Sequence, residues 1–233
     1  MTGDDVLVEA CDILEGAGID YWVCHGTLLG IIRESRLLPW DHDIDLAVWY
    51  DDYCSDKIKR LFLAKSYLLE EIDPMNQCLH FIKSGSTFKL DINFYRQEGD
   101  QSVVRWLVRK PGLLSAVRYK IFEGLTGSSF RYSSNNLFGL TFAYFTWGIG
   151  KMLLFSLPSG VATVVKDALS TNLLKFIGYA YPNELMETAD FNYKSRLIRV
   201  PKHYEKVLEL TYGKDWVIPK QSYTWHVEAK NLK

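Results

Sequence analysis

"HGTLLGIIRESRLLPWDHDIDLAVW", residues 25–49, decides how this chain is read. A glycine follows an apolar segment. An arginine comes next, and then Asp41, Asp43 and Asp45 occupy alternate positions. From Asp43 to Trp49 the pattern alternates with period two. Ile44, Leu46 and Val48 fall on one face of a strand; Asp43, Asp45, Ala47 and Trp49 fall on the other. Two carboxylates leaving the same face repel each other unless a cation lies between them. The stretch is therefore either a solvated turn or a place that holds something positive.

Working outward, helical spacing predicts a helix over 4–17, with Asp4 and Asp5 at its positive end. A short buried strand follows over 19–24. Gly26 breaks it, and a helix begins over 27–33 with Thr27 near its cap. After the strand at 43–49 come a helix over 53–65 and two strands, 77–83 and 87–95, joined around Ser84-Gly85-Ser86. In the second of these, Leu90, Ile92 and Phe94 share one face, while Lys89, Asp91 and Asn93 share the other. Residues 1–98 thus read as an α/β (α+β) layer with a mixed sheet. Residues 99–189 read as a mostly helical, aromatic-rich second subdomain. Residues 190–233 return to mixed character, with a short helix near 202–212, and are expected to pack back on the core.

An Asp-x-Asp pair or a lone strand aspartate is, taken singly, a feature of solvated surfaces. The glycine turn just upstream changes the balance. Gly26-Thr27 follows a strand and opens a helix, where free N–H groups and a hydroxyl can meet a phosphate. Asp43, Asp45 and Asp91, brought together on neighbouring strands, would form a hard-oxygen site suited to Mg²⁺, with Mn²⁺ as the alternative ion. Phosphoryl transfer is the chemistry such a site serves.

Composition excludes other classes. With 27 basic and 28 acidic residues and a net charge of -1, nothing suggests general electrostatic capture of nucleic acid. The four cysteines include no C-x-x-C pair, so they are expected as packing residues rather than a zinc knuckle. The start, MTGDDVLVEA, lacks a basic segment followed by an apolar one, which leads to the expectation of a cytoplasmic protein. Residues 137–157 carry one charge, Lys151, and approach the length of a membrane span. The reading preferred here is a buried helix of the second subdomain. Peripheral contact with the inner face of a membrane stands beside it, because Arg105, Arg109, Lys110, Arg118 and Lys120 lie upstream.

The long pattern Gly26-Thr27-Leu28-Leu29-Gly30, Arg33, then Pro39-Trp40-Asp41-x-Asp43-Ile44-Asp45 resembles the LicD family, which includes the fukutin-related proteins. The tail "YEKVLELTYGKDWVIPK" also resembles the family's C-terminal segment, through Tyr212-Gly213, Trp216 and Pro219. The likeness covers about residues 15–95 and 200–220. It implies a nucleotidyltransferase-like fold. It also implies transfer of a phosphorylated small alcohol, such as phosphocholine or an alditol phosphate, from a CDP-linked donor to a hydroxyl of a glycan or glycolipid acceptor, with release of CMP. Carried over by residue, Asp43 and Asp45 would bind the metal. Asp91 would complete that site or orient the acceptor. Gly26 and Thr27 would hold donor phosphates, and Arg33 would neutralise charge there or sit exposed at a helix end. Asp41 would cap or orient the loop and need not touch metal. His42 stands where many relatives carry another acid, and is a ligand, a donor or a structural residue. Lys89, on the face of Asp91, would meet a phosphate or simply face solvent. Two rival functions remain on the same fold: a nucleotidyltransferase releasing pyrophosphate, and a non-catalytic binding protein.

Overall fold

The computed structural model describes residues 1–72, 77–127, 130, 136–171 and 173–220. The chain divides into two compact units, residues 1–106 with 177–233, and residues 107–176.

The first unit opens with α1 (Gly3–Gly16). A reciprocal cap holds its start: the Asp5 amide donates to Thr2 Oγ1 at 3.2 Å, and the Thr2 amide donates to Asp5 Oδ2 at 2.7 Å. Val6, Leu7, Ala10, Cys11 and Leu14 bury the apolar stripe. Strand β1 (Tyr21–Val23) runs straight into α2 (His25–Glu34), so the predicted break at Gly26 is instead the helix's first turn. Thr27 lies inside that turn rather than at the cap, which is Cys24. Then come β2 (Asp43–Trp49), α3 (Asp52–Ala64), β3 (Tyr67–Ile72), β4 (Cys78–Lys83) and β5 (Lys89–Glu98). Sequence reading missed β3, whose Leu68 is exposed and whose Glu70 interrupts any simple apolar run.

The sheet order is β1-β2-β5-β4-β3. Strands β2 and β5 are parallel; β1–β2, β3–β4 and β4–β5 are antiparallel. This is the mixed sheet expected for the α/β class. The far end of β5 also pairs with β6 (Gln101–Arg109), which in turn pairs with β7 (Leu174–Pro182). Trp22, Ile44, Leu46, Leu90, Ile92 and Phe94 are all essentially solvent-free at its centre.

The stretch read as mostly helical is therefore bordered by strands. Val103 and Val104 are buried in β6, and Tyr179 and Tyr181 in β7. Basic residues around Arg105 masked that strand character. Between these strands lie α4 (Leu113–Leu125), α5 (Leu137–Ser156) and α6 (Ser159–Ser170). Helix α5, expected to be buried, exposes most of its large side chains. The tail adds a hairpin absent from the sequence reading, β8 (Thr188–Tyr193) with β9 (Arg196–Pro201), and then α7 (Tyr204–Tyr212), close to the expected helix. All four cysteines are free thiols; Cys11, Cys24 and Cys78 are buried.

Candidate active site

The parallel ladder sets the site. Asp45 pairs with Asp91 and Asp43 with Lys89 across β2 and β5. Strand neighbours lie about 4.8 Å apart, so Asp45 and Asp91 stand side by side, with Asp43 one pleat repeat along. All three carboxylates line a cleft of about 780 Å³ in the first unit.

The acids are crowded; Asp41, Asp45 and Asp91 are half-buried and Asp43 is exposed at the rim. Burial, and then repulsion from Asp91, Asp41 and Asp43, pushes the Asp45 carboxyl well above the usual range. Burial, followed by Asp91 and Asp41, also raises Asp43. Burial is the main cause of the rise at Asp41. One neutral group supports the cluster: Asn93 Nδ2 donates to Asp45 Oδ1 at 3.4 Å, and Trp106 Nε1 donates to Asn93 Oδ1 at 3.2 Å.

Gly26 gives the acids room. A Cβ there would run into the Asp41 carboxylate and lie 3.9 Å from Asp45 Oδ2. Asp41 in turn accepts the Asp43 amide through Oδ1 at 3.3 Å, which caps the start of β2. Gly26 and Asp41 both line the cleft. Thr27 is buried behind it: its hydroxyl accepts the Asp45 amide at 2.8 Å and donates to the Asp43 carbonyl at 3.4 Å. It braces the acid-bearing strand against α2.

Arg33 lines the cleft and is buried, so its exposed-end alternative is excluded. Its guanidinium meets Glu34 at 2.8 Å and donates to the Trp216 carbonyl at 3.2 Å, while its buried Nε lacks a partner among the described residues. That bond ties the C-terminal segment to α2. Lys89 points elsewhere: it forms an ion pair with Glu70 at 2.7 Å and is absent from the cleft lining. His42 packs edge-on against Phe88 and is likewise outside the lining.

His80, whose place on the strand expected over 77–83 suggests a packed or edge residue, lines the cleft. Its Nδ1 is 2.8 Å from Asp91 Oδ1. Cys78, His80 and Asp91 place ligand atoms within 4.8 Å of one another. Asp91 thus belongs both to the carboxylate group on β2 and β5 and to a mixed sulfur–nitrogen–oxygen group on β4 and β5. The carboxylate set suits a hard divalent cation. Histidine bonded to one of those carboxylates suits an outer partner that fixes its orientation.

His25 also went unremarked in sequence. Its backbone is left-handed, with φ 49°, a conformation uncommon outside glycine and often found at functional sites. Its ring lies 5.3 Å from both Trp106 and Tyr179, and burial pushes its pKa down to about 3. Its Nε2 is buried without a partner among the described residues. Trp40, Tyr212 and Trp216 add aromatic surface to the cleft. No spacing rule connects these residues. Only the return of β7 and the C-terminal segment assembles them.

Comparison with known proteins gives a consistent picture. Residues 18–110 match the model described as LicD/FKTN/FKRP, nucleotidyltransferase domain. Ribitol-5-phosphate transferase FKTN of Macaca fascicularis is 31% identical over 97 residues, 41% of this chain and 21% of that protein. Ribitol 5-phosphate transferase FKRP of Homo sapiens is 45% identical over 40 residues, 17% of this chain and 8% of that protein. The chain thus spans only a small part of the length of these relatives. The solution structure of antibiotic-resistance factor ANT(2'')-Ia overlaps 72% of this chain and 92% of that one at 10% identity. Its TM-score of 0.34 is too low to define a shared fold.

Proposed function

We propose, from the match of residues 18–110 to the LicD/FKTN/FKRP nucleotidyltransferase-domain model, that this chain is a metal-dependent phosphotransferase of the same kind. It moves a phosphorylated small alcohol from a CDP-linked donor to a hydroxyl of a glycan or glycolipid acceptor. The acceptor hydroxyl gives up its proton to water, its oxygen bonds to the phosphorus bearing the alcohol, the bond from that phosphorus to the bridging oxygen breaks, and CMP leaves with that oxygen.

The carrying observation is the convergence of Asp43, Asp45 and Asp91 on one cleft. Three crowded carboxylates, two of them with raised affinity for protons, fit a divalent cation, because positive charge between them relieves their repulsion. Asp43, Asp45 and Asp91 would hold Mg²⁺ or Mn²⁺, and the ion supplies charge neutralisation for the donor's phosphates. The rest is positioning. Gly26 lets the Asp41 carboxylate close over the first α2 turn, beside Asp45. Arg33 holds Trp216 at the cleft's edge. His80 fixes Asp91. Trp40 and Trp106, both on the cleft lining and neither buried, give aromatic surface against which a base or alcohol can pack.

A panel of cytidine, uridine, adenosine and guanosine diphosphate conjugates, tested with Mg²⁺ for thermal stabilisation and then for turnover, decides the matter. Selective response to a CDP conjugate with release of CMP supports the reading. Release of pyrophosphate from a nucleoside triphosphate would install the nucleotidyltransferase alternative. Absence of Mg²⁺ binding, with or without nucleotide, would install the binding-protein alternative.

A further inference from the structure

Helix α5 in the second unit is built inside out for water. Its buried positions are small: Ala143, Thr146 and Gly150. Its large apolar residues Phe138, Phe142, Phe145, Met152 and Phe155 recur at helical spacing and are exposed, with Phe138 at 79% and Phe155 at 85%. A surface helix of a soluble protein does the reverse, turning large apolar residues inward. Small residues between helices and large ones outside is the packing that a lipid environment favours. Helices α4 and α5 meet backbone to backbone: a Cβ on Gly150 would lie 2.9 Å from Gly124 Cα.

The single charge on α5 does not interrupt the exposed face. Lys151 Nζ donates to the Gly127 carbonyl at 2.7 Å, just beyond the end of α4. The neighbouring helices also expose apolar residues, Leu113 and Leu114 on α4 and Val161 and Val164 on α6.

Charge identifies the occupant. Residues 107–176 contain eight Lys and Arg against two Asp and Glu, a net charge of +6. The rest of the chain holds nineteen against twenty-six, a net of -7. A cationic unit displaying phenylalanines matches an anionic lipid surface, which attracts the basic groups and takes up the rings. A second copy of the chain would bring up a unit of the same net positive charge. Although α5, at about 30 Å, is long and apolar enough to cross a bilayer, α4 and α6 have 13 and 12 residues, and α4 carries Arg118, Lys120 and Glu123. These lengths and charges fit shallow insertion rather than a spanning bundle.

We infer that residues 107–176 form an interfacial anchor that docks the Phe138–Phe155 face into an anionic bilayer. The inference stands on the second unit alone and does not depend on the reaction at the first.

The test is flotation of the full chain with vesicles of phosphatidylcholine, with and without phosphatidylglycerol. The expected result is co-flotation with the phosphatidylglycerol vesicles, weakened at least severalfold by high salt. It should be lost in the triple variant Phe138→Ser, Phe145→Ser, Phe155→Ser. Hydrogen exchange on the unmodified protein guards against a misfolded variant: the vesicles should protect residues 137–156. No co-flotation, no protection of α5, or equal binding to neutral vesicles would each overturn the inference. So would a dimer in light scattering that the triple variant dissolves while vesicle binding is absent, since a second copy would then own the face.

Discussion

Asp91 on β5 stands directly opposite Asp45 on β2, in a parallel ladder that leaves both carboxylates in one cleft. A half-buried pair of like charges this close is costly unless a cation joins it. We expect Asp43→Asn, Asp45→Asn and Asp91→Asn each to lower turnover by at least about 100-fold, the scale for losing one electrostatic element of a reaction site. Each variant should stay folded. The metal-free melting temperature of Asp45→Asn should exceed that of the parent, because the repulsion raising its pKa is gone. Addition of Mg²⁺ should stabilise the parent and leave Asp45→Asn unmoved. A parent indifferent to Mg²⁺ would dissolve the metal assignment.

His80 touches Asp91 rather than the reaction. Removing the bond from Nδ1 to Asp91 Oδ1 frees that carboxylate to rotate. Losing an outer partner of this type weakens metal binding on the order of 10- to 100-fold. Calorimetric Mn²⁺ titration of His80→Ala should show such a drop, and excess metal should restore part of the turnover. A loss that no metal concentration rescues would point to direct participation instead.

Gly26 is demanded by space, since a Cβ would collide with the Asp41 carboxylate. Gly26→Ala should therefore displace Asp41, loosen the cap on the Asp43 amide and impair donor binding by about tenfold or more, on the scale reported for small misplacements in reaction sites. The effect should appear mainly in KM for the donor. Pairing it with Asp41→Ala, which removes the obstructing group, should recover affinity relative to Gly26→Ala. Additive losses would contradict the steric account.

His25 gives the protein an acid-side weakness. Its folded pKa is lowered to about 3 from 6.5, so below pH 6.5 the unfolded chain binds the proton that the folded one refuses. The stability tied to neutral His25 is complete above pH 6.5 and declines as pH falls toward 3. At pH 5 the deficit is about 2 kcal/mol. Asp41, Asp43 and Asp45 act oppositely: their raised pKa values make acidification favourable to the folded state. Comparing the parent with His25→Asn isolates the histidine, since asparagine tolerates the same left-handed backbone without titrating. Urea unfolding at pH 7 and pH 5 should show a difference between the two pH values that is smaller by about 2 kcal/mol in the variant. An equal difference in both proteins would refute the shift.

What the residues alone determined lies in short-range pattern. Period-two alternation marks β2 from Asp43 to Trp49 and puts Asp43 and Asp45 on one face, and the same rule places Asp91 beside Asn93 on β5. Helical spacing is enough for α1. These follow from backbone geometry within one element, which local sequence carries. Long-range pairing decided the rest. Parallel register joined Asp45 to Asp91 across 46 positions of sequence. The antiparallel turn of β4 delivered His80. A bond spanning 183 positions drew Trp216 to Arg33. In the linear chain Thr27 is expected to hold phosphate and Lys89 to meet phosphate or solvent, and the partners each one met, the Asp45 amide and Glu70, are set by packing that no local pattern encodes. Helix α5 shows the same division: its apolar run is plain in the letters, while which residues face Gly124 and which face outward depends on the helix laid against it.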